Sequence, residues 1–185
     1  MTRTDDDVID VLLAQHARIE ELFRTVLSTT GDEKRKAFDD LVRLLAVHET
    51  AEEEIVHPYA RRAIEAGGPV VDDRLAEEHR AKEHLADLYE RGLDAPDFRQ
   101  RLLALRDEVI AHATREERYE FTYLRSSVDA DRLQAMAAAV RAAEAMAPTR
   151  PHPGAESPTA NLLLGPPLAV YDRVRDIVRD RVTYS

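Results

Sequence analysis

Apolar residues recur at steps of three and four along most of the first 147 residues, which is the spacing of the buried face of an α-helix. The first stripe runs from Ile9 to Leu27, and the second runs from Phe38 to Tyr59. A third lies within about residues 71–91, a fourth runs from Phe98 to Tyr123, and an alanine-rich fifth spans roughly 130–147. The pattern predicts an all-α chain whose stripes bury against one another.

Glycine and proline separate these segments. Gly31 follows the first stripe, a Gly-Gly-Pro run at 67–69 is expected to end the second helix, and Gly92 marks the turn before the fourth. Pro58 lies inside the second stripe and predicts a kink or a shortened helix there. Four long helices joined by short turns favour an up-down-up-down four-helix bundle, with the alanine-rich helix added to it.

The composition changes after residue 147. Residues 148–167 hold six of the nine prolines, which is typical of an extended linker. The final segment, PPLAVYDRVRDIVRDRV, has the periodicity of an amphipathic helix. We therefore expect a helical bundle over 1–147, followed by a docking appendage over 148–185 that consists of the linker and a C-terminal helix.

The formal net charge of −10 bears on the expected partners. A negative field opposes binding to DNA, RNA and anionic membrane surfaces, so we expect no nucleic-acid and no membrane partner. The sequence has no cysteine, which excludes disulfides and thiolate metal ligands from this chain. No signal-peptide core or membrane-length apolar run is found, so we expect a cytoplasmic location. The expected oligomeric state is a monomer or a homodimer.

Histidines interrupt the apolar stripes near the middle of the first four predicted helices. They are His16, His48, His79 and His112. At about 1.5 Å per residue, these positions fall close to one level of a bundle. Glu52 and Glu116 each follow one of these histidines by four residues, a spacing that stacks the two side chains on one helical face.

Four imidazoles and two carboxylates at one level indicate a metal site, because a buried carboxylate is costly unless it is paired or bound to a cation. Six ligands exceed the needs of one tetrahedral ion and fit two ions with the carboxylates bridging. Imidazole and carboxylate suit iron, manganese or zinc. The predicted ligands are His16, His48, Glu52, His79, His112 and Glu116. Glu49 and Glu83 are additional candidates.

Spacing places other polar residues away from this level. His57 is nine residues after His48, which puts it on the opposite face of a regular helix, and His84 is five residues after His79. Both are expected to be bystanders. Glu117 is expected to be a solvated acid.

The order His, HxxxE, His, HxxxE over roughly residues 5–125 resembles the hemerythrin-like, or HHE cation-binding, domain. The segments HETAEEEIVHP and HATREERYEF also look like the second and fourth helices of that family. The resemblance implies a non-haem centre of two iron ions (Fe2+/Fe3+), bridged by carboxylates and an oxo or hydroxo group. Members of the family bind or react with O2, H2O2 or NO, or sense iron and oxygen.

The sequence departs from the oxygen-carrying hemerythrins at two positions. Those proteins have a second third-helix histidine where this chain has Glu83, and their last carboxylate falls where it has Glu117; we assign that role to Glu116. These departures disfavour reversible oxygen carriage and favour a redox role in oxidative stress, such as catalase-like decomposition of hydrogen peroxide. The alternative is a module that binds or senses oxygen, nitric oxide or iron without turnover. A ferritin-like oxidase fits less well, because only Glu54–His57 has its Glu-x-x-His spacing.

Overall fold

The computed structural model describes residues 6–63 and 67–146, and helices account for nearly all of these ranges, with no strand among them. The α-helices are α1 Val8–Ser28, α2 Gly31–Ala51, α3 His57–Ala63, α4 Gly67–Arg91, α5 Phe98–Arg115, α6 Phe121–Ser127 and α7 Ala130–Met146. Two single π-helical turns, Glu52–Val56 and Glu116–Glu120, join α2 to α3 and α5 to α6. The prediction of an all-α chain is confirmed. The predicted appendage over 148–185 lies outside the described residues.

Asp7 begins α1 through a capping box. Its side chain accepts hydrogen bonds from the N–H groups of Ile9 and Asp10, and the Asp10 side chain accepts one from the N–H of Asp7. Both pairs satisfy donors that the first helical turn leaves free. The Arg125 guanidinium of α6 binds both acids, so the start of α1 is attached to α6.

The Gly-Gly-Pro run at 67–69 begins α4 instead of ending the second helix, which corrects the sequence prediction. Gly67 lies against α3, where an added Cβ would stand 2.7 Å from the carbonyl oxygen of Ala60. Glycine is therefore required for the close approach of the two backbones. Pro69 suits the first helical turn, where a backbone N–H has no intrahelical acceptor.

The helices bury two separate apolar clusters. The first cluster contains Val8, Ile9, Val11, Leu12, Ala51, Ile55, Val56, Ala60, Val71, Phe121, Leu124, Leu133, Met136, Ala137, Ala139 and Val140. The second contains Ile19, Leu22, Phe23, Val26, Ala37, Phe38, Leu41, Val42, Leu44, Leu45, Ala81, Leu85, Leu88, Phe98, Leu102, Leu105 and Val109. Helix α1 packs against α2 and α5, α4 packs against α5 and α3, and α7 covers α1 and α2.

A layer of buried polar side chains separates the two clusters along four long helical segments, α1, α2–α3, α4 and α5–α6. Its members are Gln15, His16, His48, Glu49, Glu52, His57, Arg74, Glu78, His112, Glu116 and Glu120. So many buried charges require partners or cations, because each is costly to remove from water alone. Among the described helices, none is long and apolar enough to cross a membrane.

Candidate metal centre

Each π turn begins at a carboxylate of the polar layer. The N–H of His57 donates to the carbonyl of Glu52, and the N–H of Phe121 donates to the carbonyl of Glu116. A π turn contains one residue more than an α turn, so the helix beyond it is rotated by about 100° from regular α-helical phase. This rotation brings His57 into the interior, where it is 2% exposed. The prediction that His57 is a bystander was wrong.

Two imidazoles from α1 and α2 face each other in this layer. The Nδ1–H of His16 donates to Glu117 Oε1 and the Nδ1–H of His48 donates to Gln15 Oε1, both at 2.8 Å. These bonds turn the two Nε2 atoms inward, 3.0 Å apart, so that their lone pairs would face a bound ion. Nitrogens held by one ion at about 2.1 Å lie roughly 3.0–3.4 Å apart, so this separation fits a shared cation. Glu117 is exposed, as predicted, but it also orients His16, which the sequence did not predict.

His112 of α5 faces the same centre from another side. Its Nδ1–H donates to Glu77 Oε2 at 3.1 Å, and its Nε2 lies 3.2 Å from Glu116 Oε1. Glu77 is held in turn by Arg74 at 3.0 Å and by Arg115 at 2.7 Å. The imidazole orientation is thus fixed from behind by a carboxylate, as in many histidine metal ligands.

Glu52 and Glu116 lie between the histidines and are fully buried. Glu116 Oε2 is 3.4 Å from His16 Nε2, while its other oxygen faces His112. Glu52 Oε2 is 3.3 Å from His48 Nε2 and 4.0 Å from His112 Nε2. None of the four carboxylate oxygens accepts a hydrogen bond of good geometry from the described part of the chain. Buried carboxylate oxygens that lack a hydrogen-bond donor are suited to bridging two cations.

The candidate ligand atoms form two sets, and within each set all atoms lie within 4.8 Å of one another. The nitrogen-rich position consists of His16, His48, Glu52 and Glu116. The oxygen-rich position consists of Glu52, Glu78, His112 and Glu116. The two positions share Glu52 and Glu116.

Glu78, and not His79, is the α4 residue at this centre. Glu78 is 1% exposed, and its Oε1 lies 3.9 Å from His112 Nε2. The next residue is rotated by about 100° on a helix: the His79 side chain is 73% exposed, and its Nε2 lies 3.4 Å from Glu83 Oε1. The structure therefore corrects the placement of His79 and Glu83 at the site, because both lie on the outer face of α4.

His57 extends the polar layer behind Glu78. Its Nε2 lies 2.6 Å from Glu78 Oε1, and its Nδ1 lies 3.4 Å from Glu120 Oε2. Arg74 Nε lies 3.8 Å from the other oxygen of Glu120. Burial alone lowers the pKa of His57, but hydrogen bonds to Glu120 and Glu78 outweigh burial and raise this pKa to about 10. The His57 imidazolium and Arg74 therefore neutralise two buried carboxylates.

Glu49 lies next to the centre but outside both four-atom sets. It is 5% exposed, and its Oε2 lies 3.7 Å from Lys82 Nζ. Burial raises the pKa of Glu49 to about 8, and the attraction of Lys82 offsets only part of that effect. Glu49 thus holds a proton at neutral pH and is not a surface acid.

In the metal-free protein, protons partly replace the missing positive charge. Burial and the nearby Glu116 raise the pKa of Glu52 to about 8. Burial lowers the pKa of His112, but Glu116 and Glu52 outweigh it and raise this pKa to about 12. The pKa of His16 is also raised, by the same two carboxylates acting against burial, whereas burial and the adjacent His16 hold the pKa of His48 well below its usual value. Metal ions fit this donor set, because they satisfy the orphaned oxygens and the inward lone pairs together.

A cavity of about 750 Å³ reaches the three site histidines between α1, α2, α4 and α5. Glu49 and Glu78 contribute to its wall. Exposed residues such as Arg80 and Asp107 also line it, so the centre is reached from solvent. The cavity is large enough for small molecules such as water, dioxygen or peroxide.

Comparison with known proteins agrees with this geometry. A family model described as "Hemerythrin HHE cation binding domain" matches residues 7–124, which include all residues of both positions. A DNA nickase of Nostoc sp. (strain PCC 7120 / SAG 25.82 / UTEX 2576) is 24% identical over 143 residues, or 77% of this chain and 40% of that protein. The chain thus spans less than half the length of this relative. No solved structure matches the chain significantly.

Proposed function

The chain belongs to the hemerythrin HHE cation-binding domain family, and from this premise we propose that it holds two iron ions and reacts with hydrogen peroxide or dioxygen. The observation that carries the proposal is the pair of four-atom sets that share Glu52 and Glu116. Imidazole and carboxylate donors suit iron, and the same donors accept manganese and zinc. In this assignment His16 and His48 hold one ion, His112 and Glu78 hold the other, and the shared carboxylates bridge them.

When bound, the iron ions supply the redox chemistry that peroxide decomposition requires. The residues of the chain hold and orient the centre, admit a small oxidant through the cavity and control protons at its wall. Glu49 is placed for the last task, because it lines the cavity and holds a proton at neutral pH. Catalase-like turnover would convert two molecules of hydrogen peroxide into one of dioxygen and two of water.

The proposal includes the up-down-up-down arrangement of the four long helical segments α1, α2–α3, α4 and α5–α6. Along α1 and α4 the chain passes from the first apolar cluster to the second, and along the other two segments it passes in the opposite order. This alternation supports antiparallel neighbours. The polar layer then lies at the middle of the bundle.

The nicking activity in the name of the Nostoc relative is not part of the proposal. The matched region covers 40% of that protein, and a formal charge of −10 opposes binding to a polyanion. The alternative function is a binding or sensing module, in which O2, H2O2 or NO occupies the centre without turnover.

The test compares iron content, the ultraviolet–visible spectrum and oxygen release after addition of peroxide. The full chain should contain about two irons, with absorption that changes on peroxide addition, whereas His48→Ala and His112→Ala should lose iron and this absorption. The control is His84→Ala, which removes an exposed histidine that pairs with Glu108. Normal iron content in both site variants would contradict the proposal, and a spectral change without oxygen release would favour the sensing alternative.

A further inference from the structure

The two metal positions differ in their unshared donors. Beyond the bridging carboxylates, the nitrogen-rich position has two imidazoles, whereas the oxygen-rich position has the His112 imidazole and the Glu78 carboxylate. An imidazole ligand is neutral and a carboxylate is anionic. The oxygen-rich position therefore has the harder donors of the two.

The residues around Glu78 hold its carboxylate at the oxygen-rich position. His57 contacts Glu78 Oε1 at 2.6 Å, while Glu78 Oε2 accepts no hydrogen bond from the described residues. His57 is braced from behind by Glu120. His57 thus holds the Glu78 carboxylate in place at the centre, where its Oε1 lies 3.9 Å from His112 Nε2.

A carboxylate stands behind one imidazole of each position. The carboxylate of Glu77 stands behind the His112 ring, and Arg74 and Arg115 both contact Glu77. At the nitrogen-rich position the carboxylate of Glu117 stands behind His16, and the neutral Gln15 amide stands behind His48. Because His57 also balances the charge of Glu78, the two positions differ mainly in their donor atoms.

Donor chemistry then separates the metals. For a given site Fe2+ binds more tightly than Mn2+, but imidazoles favour iron and zinc whereas carboxylates suit manganese. The advantage of iron should be smallest where Glu78 replaces an imidazole. Building on the proposed dinuclear centre, we propose that the oxygen-rich position is a manganese(II) position, so that the protein loads as a mixed iron–manganese pair.

The test loads metal-free full-length protein under anaerobic conditions with one equivalent of Fe2+ and an excess of Mn2+, followed by desalting. Elemental analysis should find about one iron and one manganese per chain. Diffraction at the iron and manganese absorption edges should place iron between His16 and His48 and manganese beside Glu78. One iron without manganese, or manganese divided between both positions, would overturn the inference. Fewer than two metals under every loading condition, iron alone included, would instead defeat the dinuclear proposal.

A matched pair of variants on α4 tests the role of Glu78. Glu78→His makes the unshared donors of both positions alike and should lower manganese uptake relative to iron by about tenfold or more. His79→Glu adds a carboxylate on the exposed neighbour and should leave the metal ratio unchanged. Glu78→Gln, which keeps the size of the side chain, should also lose manganese, and circular dichroism verifies folding of each variant. An unchanged ratio in folded Glu78→His would show that Glu78 does not select the metal.

Discussion

At the residue scale, burial of the Glu52 carboxylate lowers the stability of the metal-free protein. Glu52 is fully buried, its oxygens lack hydrogen-bond donors among the described residues, and its pKa is raised to about 8 by burial and Glu116. A carboxyl whose folded-state pKa lies above its unfolded value destabilises the protein as pH rises through that interval. The cost is absent below about pH 4.5 and complete above about pH 8.

We therefore expect Glu52→Gln to make the metal-free protein as stable as the parent or more stable, by about 1–2 kcal/mol near pH 8. The gain should disappear near pH 4.5, the unperturbed pKa of the group. Metal should no longer stabilise the variant, whereas a ligand at about 1,000 times its Kd adds about 4 kcal/mol to a competent site. Urea unfolding with and without metal measures both effects.

Glu54→Gln is the control, because Glu54 occupies an exposed position on the same π turn. It should change the free energy of unfolding by no more than about 0.5 kcal/mol. If Glu52→Gln weakened the metal-free fold while Glu54→Gln did not, Glu52 would be a structural residue and not a group held for metal binding.

The contrast between Glu78 and His79 shows what sequence alone could not decide at this scale. A helical stripe through Val71, Ala81 and Leu85 includes Glu78, whereas a stripe through Leu75 includes His79. Neighbouring residues differ by about 100°, and the apolar residues of this helix are too sparse to fix its phase that closely. By contrast His16, His48 and His112, on helices with continuous stripes, are brought together as predicted.

At the element scale, the two π turns decide which residues beyond the metal centre are buried. After the turn Glu116–Glu120, the rotated α6 places Phe121 and Leu124 in the first apolar cluster at 3% and 0% exposure. The corresponding turn after Glu52 places His57 beside Glu78. Isolated π turns are common at functional sites, where an extra residue adjusts the side chains.

Deletion of Arg118, an exposed residue within the second π turn, should remove this adjustment. The helix would return to regular α phase, and α6 would turn by about 100°, so that Phe121 and Leu124 leave the core. At about 1.5–3 kcal/mol for each buried side chain, we expect a loss of roughly 3–6 kcal/mol in the free energy of unfolding. Thermal and urea unfolding provide the measurement.

Arg118→Ala removes the side chain but keeps the residue, and it should stay within about 0.5 kcal/mol of the parent. Equal stability of the deletion and substitution variants would mean that the π turn has no role in packing. Pro58 predicted an irregular helix close to the first π turn, Glu52–Val56. The sequence gives no signal for the second turn, because a hydrogen bond from residue i+5 to residue i depends on tertiary packing and not on local preference. The helix bounds were predictable where turn residues are explicit, as at Gly92, which directly follows α4 and has a positive φ of 77°.

At the scale of the whole molecule, metal binding is coupled to proton release. The raised pKa values of His112, about 12, and Glu52, about 8, mean that both groups hold protons at neutral pH in the metal-free protein. Ligands must lose those protons to bind. We expect titration with Zn2+ or Mn2+ in weakly buffered solution to release protons. The apparent metal affinity should fall by roughly tenfold for each unit by which the pH is lowered, for each proton released.

A pH indicator measures the released protons, and competition with a chelator measures affinity between about pH 6 and pH 8. The His112→Ala variant should release fewer protons. An affinity independent of pH, or proton uptake on metal addition, would contradict the assignment of these groups as ligands.

The separation of the apolar interior into two clusters has a consequence for how the chain unfolds. Among the described residues, each cluster draws on all four long helical segments, and the polar layer lies between the two clusters. We expect the metal-free protein to open first at this layer, because opening there exposes little apolar surface. Amide hydrogens of residues near the layer should then exchange with solvent much sooner than those at either end. Bound ions should couple the two clusters into one cooperative unit. Metal binding at the centre then determines whether the molecule unfolds in a single step.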